Sequence, residues 1–214
     1  MGGTLLVVTA VPAEAEAVRA GLVGDGVTVA PVGVGPAAAA AGTARLIALA
    51  EAAGRSYRGV LSVGIGGGFP GRVAVGGTVV ATRSIAADLG AESPGGFLPL
   101  DELGFGVTAL PADPALLDVL RAGLPQAVTG AVLTLSTVTG TAATSTGLLA
   151  RHPDAVAEAM EGYGVATAAA DAGLPFAELR TISNPIGPRD RSAWQIGAAF
   201  AALTAAFGLV GQQL

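Results

Sequence analysis

The sequence predicts an α/β fold in a single domain spanning residues 1–214, with a mainly parallel, mixed central sheet flanked by helices. Short β-branched runs alternate along the chain with alanine-rich segments of helix length, which is the rhythm of βαβ units. Hydrophobic residues make up 51% of the chain and aromatic residues only 4%. The core must therefore be built largely from Ala, Val, Leu and Ile.

Strands are predicted where β-branched and aliphatic residues cluster between turn residues, at residues 5–9, 59–63, 78–85, 128–135 and 176–182. Helices are predicted in the alanine- and leucine-rich segments between them, at residues 13–22, 37–53, 114–122, 142–150 and 162–172, with a long closing helix at 191–214.

Two segments do not follow this rhythm. Residues 154–160 alternate in a way that suits a short strand, although helix propensity alone would extend a helix through them. Residues 87–106 are rich in Gly and Pro, and we predict an irregular, functional loop there.

The composition excludes several functions. The net charge is −5 and the chain contains no lysine, so no basic surface is available for nucleic acid. Without cysteine there is no disulfide or thiolate metal site, and the single histidine, His152, is expected at the surface; we therefore expect no metal. The start of the chain has no basic leader, and the uncharged stretch 196–211 is shorter than a membrane span, which predicts a cytoplasmic protein without a membrane partner.

The glycine cluster at residues 64–69 follows a predicted buried strand, where backbone amides can approach a ligand. A dinucleotide fingerprint would require glycine at the position of Phe69, and residues 33–36 fail the same test. We therefore expect no cofactor. Ligand contact and plain turn geometry remain equally open for the first cluster, while a turn is favoured for the second.

Three polar groups follow predicted strands. Glu14 and Glu16 come after the first strand, where one of them can face the crevice of an α/β sheet or both can form a solvated helical turn. Glu161 either caps the helix that follows it or binds a sugar diol. Residues 180–185 end the last strand with polar side chains, or form a simple turn before proline.

Four segments together resemble the purine nucleoside phosphorylase and nucleosidase superfamily, which implies a nucleoside phosphorylase-like fold. They are, in chain order, AVPAE at residues 10–14, GIGGGF at 64–69, AME at 159–161 and RTISN at 180–184. The resemblance implies that Glu14, and not Glu16, is the catalytic base, with Arg180 orienting the attacking water or the carboxylate. It further implies a substrate site formed by Gly66, Gly67, Met160 and Glu161 at the ribose and by Val138, Thr139 and Gly140 at the base.

Two departures from the family pattern carry information. Ile65 stands where related nucleosidases usually have serine, which puts a hydroxyl contact at that position in doubt. Asn184 stands where adenine-specific nucleosidases have aspartate. A 6-oxopurine presents acceptors at O6 and N7, to which an Asn amide can donate, whereas an ionised aspartate would repel them. Asn184 therefore predicts hypoxanthine or guanine as the leaving base.

The acids after the first strand would repel phosphate, which favours water as the nucleophile. Residues 136–141 and 181–191 resemble, more closely, a hydrolase branch of the superfamily whose nucleoside carries a 5′ extension ending in a carboxylate. Arg189 or Arg191 is the candidate partner of that carboxylate, and solvated surface charge is the alternative reading. The resemblance also implies a homodimer or a larger homo-oligomer.

Three other functions stay open. The nearest is an adenine-type nucleosidase that acts on methylthioadenosine or adenosylhomocysteine. Asn184 is the residue that discriminates between this function and hydrolysis of a 6-oxopurine nucleoside. A non-catalytic nucleoside-binding protein would retain the fold without turnover, and the presence of Glu14 counts against it. A dinucleotide-dependent dehydrogenase is the most distant, because its glycine fingerprint fails.

Overall fold

The computed structural model describes residues 3–214 and contains ten strands and six helices. The strands are β1 (Thr4–Thr9), β2 (Val27–Pro31), β3 (Tyr57–Gly68), β4 (Thr78–Ala86), β5 (Gly90–Ser93), β6 (Gly96–Pro99), β7 (Ala109–Pro111), β8 (Val128–Thr134), β9 (Ala155–Ala159) and β10 (Phe176–Pro185). The helices are α1 (Pro12–Gly21), α2 (Pro36–Ala52), α3 (Pro114–Gly123), α4 (Ala142–Arg151), α5 (Gly162–Asp171) and α6 (Ile196–Val210).

Eight strands form one mixed sheet that is mainly parallel, as predicted. Five of its pairings are parallel and three are antiparallel. Strands β10, β4, β8, β9 and β3 also pair in a closed circuit, since β3 contacts both β9 and β10. The sheet is therefore partly a barrel, and β1 and β2 extend it beyond β3 outside the closed circuit.

Helices cover both faces of the sheet. On one face α1, α3 and α6 bury aliphatic and aromatic side chains, Leu203 and Phe207 of α6 among them, against β1, β3 and β10. On the other face α2 packs on α5 through small residues such as Ala39 and Ala166. The alanine-rich composition thus permits close helix packing in place of a core built from aromatic rings.

The five predicted strands and five of the six predicted helices are present. Strand β3 continues five residues past its predicted end, so Gly64–Gly68 lie within a paired strand and not after it. The ambiguous segment 154–160 contains the buried strand β9, so tertiary pairing with β8 and β3 overrides helix propensity. The closing helix begins at Ile196, later than predicted, because Arg191–Ala193 form a separate 3₁₀ turn capped by Asp190.

Three features were not predicted. The edge strands β2 and β7 are five and three residues long. The segment 87–106 is not wholly irregular, because β5 and β6 form a hairpin around Pro94 and Gly95. His152 is half-buried rather than at the surface, because the turn between α4 and β9 folds it inward, and burial lowers the pKa of its imidazole.

Residues Arg191–Val210 are long and apolar enough to cross a membrane, judged by length and composition alone. In the fold, Leu203, Phe207 and Val210 of this segment are buried against α1 and the sheet, which accounts for their apolar character. Met1 and Gly2, on which the expectation of a missing leader partly rests, lie outside the described residues.

Candidate active site

A cavity of about 260 Å³ lies where the carboxyl ends of β1, β3, β9 and β10 meet. Parallel strands bring their carboxyl ends to one edge of a sheet, and loops at that edge commonly bind ligands. The cavity is lined by most of the residues that the sequence nominated, namely Glu14, Ile65, Gly66, Gly67, Val138, Thr139, Met160, Glu161, Asn184 and Arg189.

Glu14 enters the cavity from the first turn of α1 and is only 3% exposed. Its Oε2 accepts hydrogen bonds from the backbone amides of Ala10 (2.9 Å) and Val11 (3.2 Å), and its Oε1 accepts one from Ile65 (2.9 Å). Burial raises the pKa of this carboxyl, while the Ile65 amide and the charge of Arg180 oppose the rise. Glu16, in contrast, is exposed, so the structure brings only one of the two acids into the site.

Glu161 also lines the cavity and lies at the start of α5 without capping that helix. Its Oε1 accepts a hydrogen bond from the Gly35 amide at 3.2 Å. Its Oε2 accepts from the Met160 amide at 3.3 Å and forms an ion pair with Arg180 Nη1 at 3.0 Å. These contacts fix the carboxylate beside Met160 in the cavity wall.

Arg180 does not line the cavity but lies behind Glu161, with its side chain 1% exposed. Its Nε donates to Glu178 Oε1 at 2.8 Å, and its Nη2 donates to Ser62 Oγ at 3.0 Å. Glu178 is fully buried on the same face of β10 and also contacts the Ser84 hydroxyl. Arg180 thus holds two carboxylates at once, and their negative charge outweighs desolvation and raises the pKa of its guanidinium.

Gly64 lets the side chains of Glu14 and Arg180 approach the β3 backbone closely. A Cβ at this position would lie 2.6 Å from Glu14 Oε1 and 2.9 Å from Arg180 Nη1. The two side chains do not form a direct ion pair, although the charge of Arg180 lowers the pKa of Glu14. Absence of a side chain at residue 64 is therefore what keeps the catalytic candidate in place.

Asn184 lines the cavity near the carboxyl end of β10. Its Oδ1 accepts a hydrogen bond from Ser183 Oγ at 2.8 Å, and its Nδ2 donates to the Pro185 carbonyl at 3.2 Å. An amide nitrogen carries two hydrogens, so one donor of Asn184 stays available to a ligand. Ser183 thereby orients the carboxamide so that the second N–H of its NH₂ group can donate to a ligand.

The loop after β10 closes one end of the cavity with Pro188, Arg189 and Trp194. The guanidinium of Arg189 lies 5.3 Å from the centre of the Trp194 ring, and the Arg189 amide donates to the Gly140 carbonyl at 3.1 Å. Arg191 also approaches this ring, at 5.9 Å, but does not line the cavity. Of the two arginines that the sequence nominated, only Arg189 is brought into the site.

Gly140 does not line this cavity and instead contributes to a neighbouring, more open depression under the β5–β6 hairpin. Glu158, which the sequence did not nominate, does line the cavity. The alternation along residues 154–160 could have identified it, because residues 158 and 160 of a strand fall on the same face and Met160 was already assigned to the site. Glu178 was also missed, although its spacing of two from Arg180 on a buried strand indicates an internal ion pair.

Within residues 3–214 no three His, Cys, Asp or Glu side chains are grouped as ligands for a metal ion. The cavity instead combines three buried carboxylates, from Glu14, Glu158 and Glu161, with one carboxamide from Asn184. Such a set can accept protons, bind hydroxyl groups and donate to a polar ring edge.

Residues 7–209 match the family described as the phosphorylase superfamily. The chain is 53% identical to the futalosine hydrolase of Streptomyces coelicolor, over 95% of this chain and 93% of that protein. It is 46% identical to the futalosine hydrolase of Acidothermus cellulolyticus, over 96% of this chain and 89% of that protein. A 5′-methylthioadenosine/S-adenosylhomocysteine nucleosidase from Neisseria meningitidis has the same fold, with a TM-score of 0.82, 20% identity and 99% of both chains covered.

Proposed function

This chain belongs to the phosphorylase superfamily, and on that premise we propose that it hydrolyses the N-ribosidic bond of futalosine. The products are hypoxanthine and dehypoxanthine futalosine, and the reaction serves menaquinone biosynthesis. One observation carries the proposal: a buried, amide-bound carboxylate, Glu14, and an oriented carboxamide, Asn184, line one cavity. An enzyme that hydrolyses purine nucleosides was the function predicted from the sequence, and the relatives named above confirm it.

Glu14 acts as the general base in this proposal. As the base departs, the ribose passes through an oxocarbenium-like state, and water attacks its anomeric carbon. Glu14 lines the cavity, and its carboxylate accepts the proton of that water. Burial raises the pKa of Glu14, which makes its carboxylate a stronger base than an exposed one.

Arg180 positions the acids rather than contacting substrate. Its side chain is buried behind Glu161, and its charge acts on Glu14 across the space beside Gly64. The ion pair with Glu161 fixes one of the carboxylates that face the sugar. Of the two roles that the family resemblance implied, orienting a carboxylate agrees better with these contacts than direct binding of water.

The ribose binds at Glu161 and Met160. A carboxylate can accept hydrogen bonds from both hydroxyls of a sugar diol, and the thioether of Met160 packs against the ring. Gly66 and Gly67 are the part of the β3 backbone that lines the cavity beside the sugar. A side chain there would collide with the Glu158 carbonyl or with Ile186. Ile65 directs its amide to Glu14 and has no hydroxyl to offer, so the serine contact of related nucleosidases is absent here.

Asn184 selects a 6-oxopurine. Its free amide hydrogen donates to O6 or N7 and stabilises the negative charge that develops on the departing base. The backbone at Val138 and Thr139 lines the same pocket, whereas Gly140 takes part only through its hydrogen bond to Arg189. The nucleoside is the partner molecule in this proposal, and no cofactor takes part.

Water is the nucleophile rather than phosphate. Among residues 3–214 the cavity lining includes four acids, Glu14, Glu158, Glu161 and Asp190, against the single cation Arg189. Arg180, the other nearby cation, is already bound to Glu161 and Glu178. A phosphate dianion at the anomeric carbon would therefore meet net repulsion.

The 5′ extension of futalosine binds toward Arg189. Trp194, beside Arg189, supplies an apolar surface on this side of the cavity, and Arg189 supplies a cation for the terminal carboxylate. We further propose that residues 1–214 act as one domain, in the cytoplasm, as a homodimer or larger homo-oligomer. Apolar residues left exposed in the single chain, among them Phe105 and Leu209, support an association of copies.

The test is incubation of the purified protein with futalosine, inosine and methylthioadenosine in buffer without phosphate, followed by identification of the free base. We expect hypoxanthine from futalosine, slower release from inosine, and little adenine. Adenine release faster than hypoxanthine release would refute the choice of substrate, and a requirement for added phosphate would refute hydrolysis. The Glu14→Gln variant is the control for contaminating nucleosidases.

A further inference from the structure

Glu158 is a buried carboxylate in the cavity wall that the mechanism above leaves without a role. The residue is 4% exposed and lines the cavity from near the carboxyl end of β9. Its Oε1 accepts a hydrogen bond from the Thr139 amide at 2.9 Å. Its Oε2 is buried and has no hydrogen-bond partner among the described residues.

A buried carboxylate oxygen without a donor is costly, because the group has given up its water. Burial raises the pKa of Glu158, and the Thr139 hydroxyl and amide oppose the rise. The Thr139 hydroxyl is thus close to the carboxyl, but it forms no hydrogen bond of ordinary length and angle with Glu158 Oε2. A group in this position calls for a hydrogen-bond donor that arrives with the ligand.

Glu158 and Asn184 lie on the same wall of the cavity, on either side of Gly67. A Cβ at Gly67 would lie 2.8 Å from Ile186 Cγ1, 3.4 Å from Asn184 Nδ2 and 3.5 Å from Glu158 Cγ. Asn184 and Glu158 are the partners of Gly67 on the two neighbouring strands and both line the cavity, so a donor and an acceptor flank the same position of β3. The edge of a 6-oxopurine carries the complementary order, with acceptors at N7 and O6 followed by a donor at N1–H.

We propose that Glu158 accepts a hydrogen bond from N1–H of the 6-oxopurine and so determines, with Asn184, which base is recognised. The inference rests on the proposed function, because it assumes that the cavity binds this base. In adenine N1 carries a lone pair in place of the hydrogen, and that lone pair would face the carboxylate oxygen. Two acceptors in contact leave both groups unsatisfied, so the site rejects adenine.

The experiment measures dissociation constants of hypoxanthine, 1-methylhypoxanthine and adenine for the unaltered protein, Glu158→Gln and Glu158→Ala. The methyl group at N1 removes the donor and collides with Glu158, so we expect the unaltered protein to prefer hypoxanthine by at least about tenfold. Alanine opens space for the methyl group, so this preference should fall to about twofold or less in Glu158→Ala. Glutamine presents an NH₂ group to N1, so Glu158→Gln should bind hypoxanthine about tenfold more weakly and adenine more tightly.

The ratio between the two methyl-related ligands separates recognition from damage to the fold. A structural role for Glu158 would weaken the binding of hypoxanthine and of 1-methylhypoxanthine equally. The proposal would be overturned if their affinity ratio were unchanged in Glu158→Ala and the preference for hypoxanthine over adenine were unchanged in Glu158→Gln. Glu16→Gln removes an exposed acid of α1 and should leave every ratio unchanged. If free bases bind too weakly, the same ratios are taken from kcat/KM of inosine and 1-methylinosine.

Release of hypoxanthine from futalosine is measured on the unaltered protein in parallel. Absence of that release would refute the proposed function, whereas an unchanged methyl ratio alongside normal release would refute only the role of Glu158.

Discussion

Replacing Glu14 by glutamine should abolish turnover while leaving the chain folded. The carboxylate accepts three backbone hydrogen bonds, two at Oε2 and one at Oε1. In glutamine an NH₂ group must take the place of either Oε1 or Oε2, and an NH₂ group cannot accept from a backbone amide. At the position of Oε1 it loses only the hydrogen bond from Ile65, which is the less costly of the two orientations. An unpaired amide costs about 1–3 kcal/mol, and removal of a buried charge offsets part of that cost.

The expected loss of stability is therefore about 1 kcal/mol, which corresponds to a fall of roughly 2–4 °C in Tm for a domain of this size. The loss of a general base should lower kcat by a factor on the order of 10² to 10⁴. Turnover is followed by hypoxanthine release from futalosine, and folding by a thermal melt. Glu16→Gln, at an exposed position two residues away, is the matched control and should retain activity.

Near-normal kcat in Glu14→Gln would remove Glu14 from the role of base. A large loss of activity in Glu16→Gln would show instead that the residues of the first motif are assigned two positions out of register.

Three further changes test other parts of the site. Asn184→Asp removes the donor to O6 and places a carboxylate oxygen near the Pro185 carbonyl, so inosine hydrolysis should lose about 1–3 kcal/mol of transition-state stabilisation; equal losses on an adenosine analogue would contradict this. Arg189→Ala should raise KM for futalosine roughly tenfold, about 1.4 kcal/mol, and leave inosine nearly unchanged, whereas Arg191→Ala should alter neither; parallel losses would indicate loop damage. Gly64→Ala inserts a methyl group 2.6 Å from Glu14 Oε1 and should lower kcat about 100-fold with an unchanged far-ultraviolet spectrum. Full activity would show that the close approach of Glu14 to residue 64 is not required for catalysis.

Glu14, Glu161 and Asn184 could be placed from the sequence because each follows a strand whose carboxyl end reaches the same edge of the sheet. Local patterns alone left a structural alternative open for each of them, and the order of the four family-like segments along the chain selected the site. Glu158 could not be placed in this way, since the segment 154–160 reads as helix or strand until β8 and β3 pair with it. A carboxylate on a short alternating segment is normally solvated, and only the closed circuit of strands buries it.

The edge strands and the hairpin escaped prediction for a different reason. Residues 27–31 form a short run that becomes a strand only because β1 offers an unpaired edge. Strands β5 and β6 are four residues each and contain Gly and Pro, so the composition of this segment suggested a loop. The exact role of Arg180 was likewise not predictable, because Glu178 and Ser62 reach it from other positions of the sheet.

Strand β9 and the two residues after it carry the proposed contacts to both halves of the nucleoside. In the proposal Glu158 faces the base, and Met160 and Glu161, two and three positions later, face the sugar from the bend that follows β9. The pairing of Glu158 with Gly67 fixes the register of β9 and with it the position of that bend. The contacts to base and sugar are thus coupled through one continuous stretch of backbone. During evolution a new base can be accommodated by replacing side chains at positions 158 and 184, whereas a shift of the strand would displace both halves of the substrate together and lose the reaction.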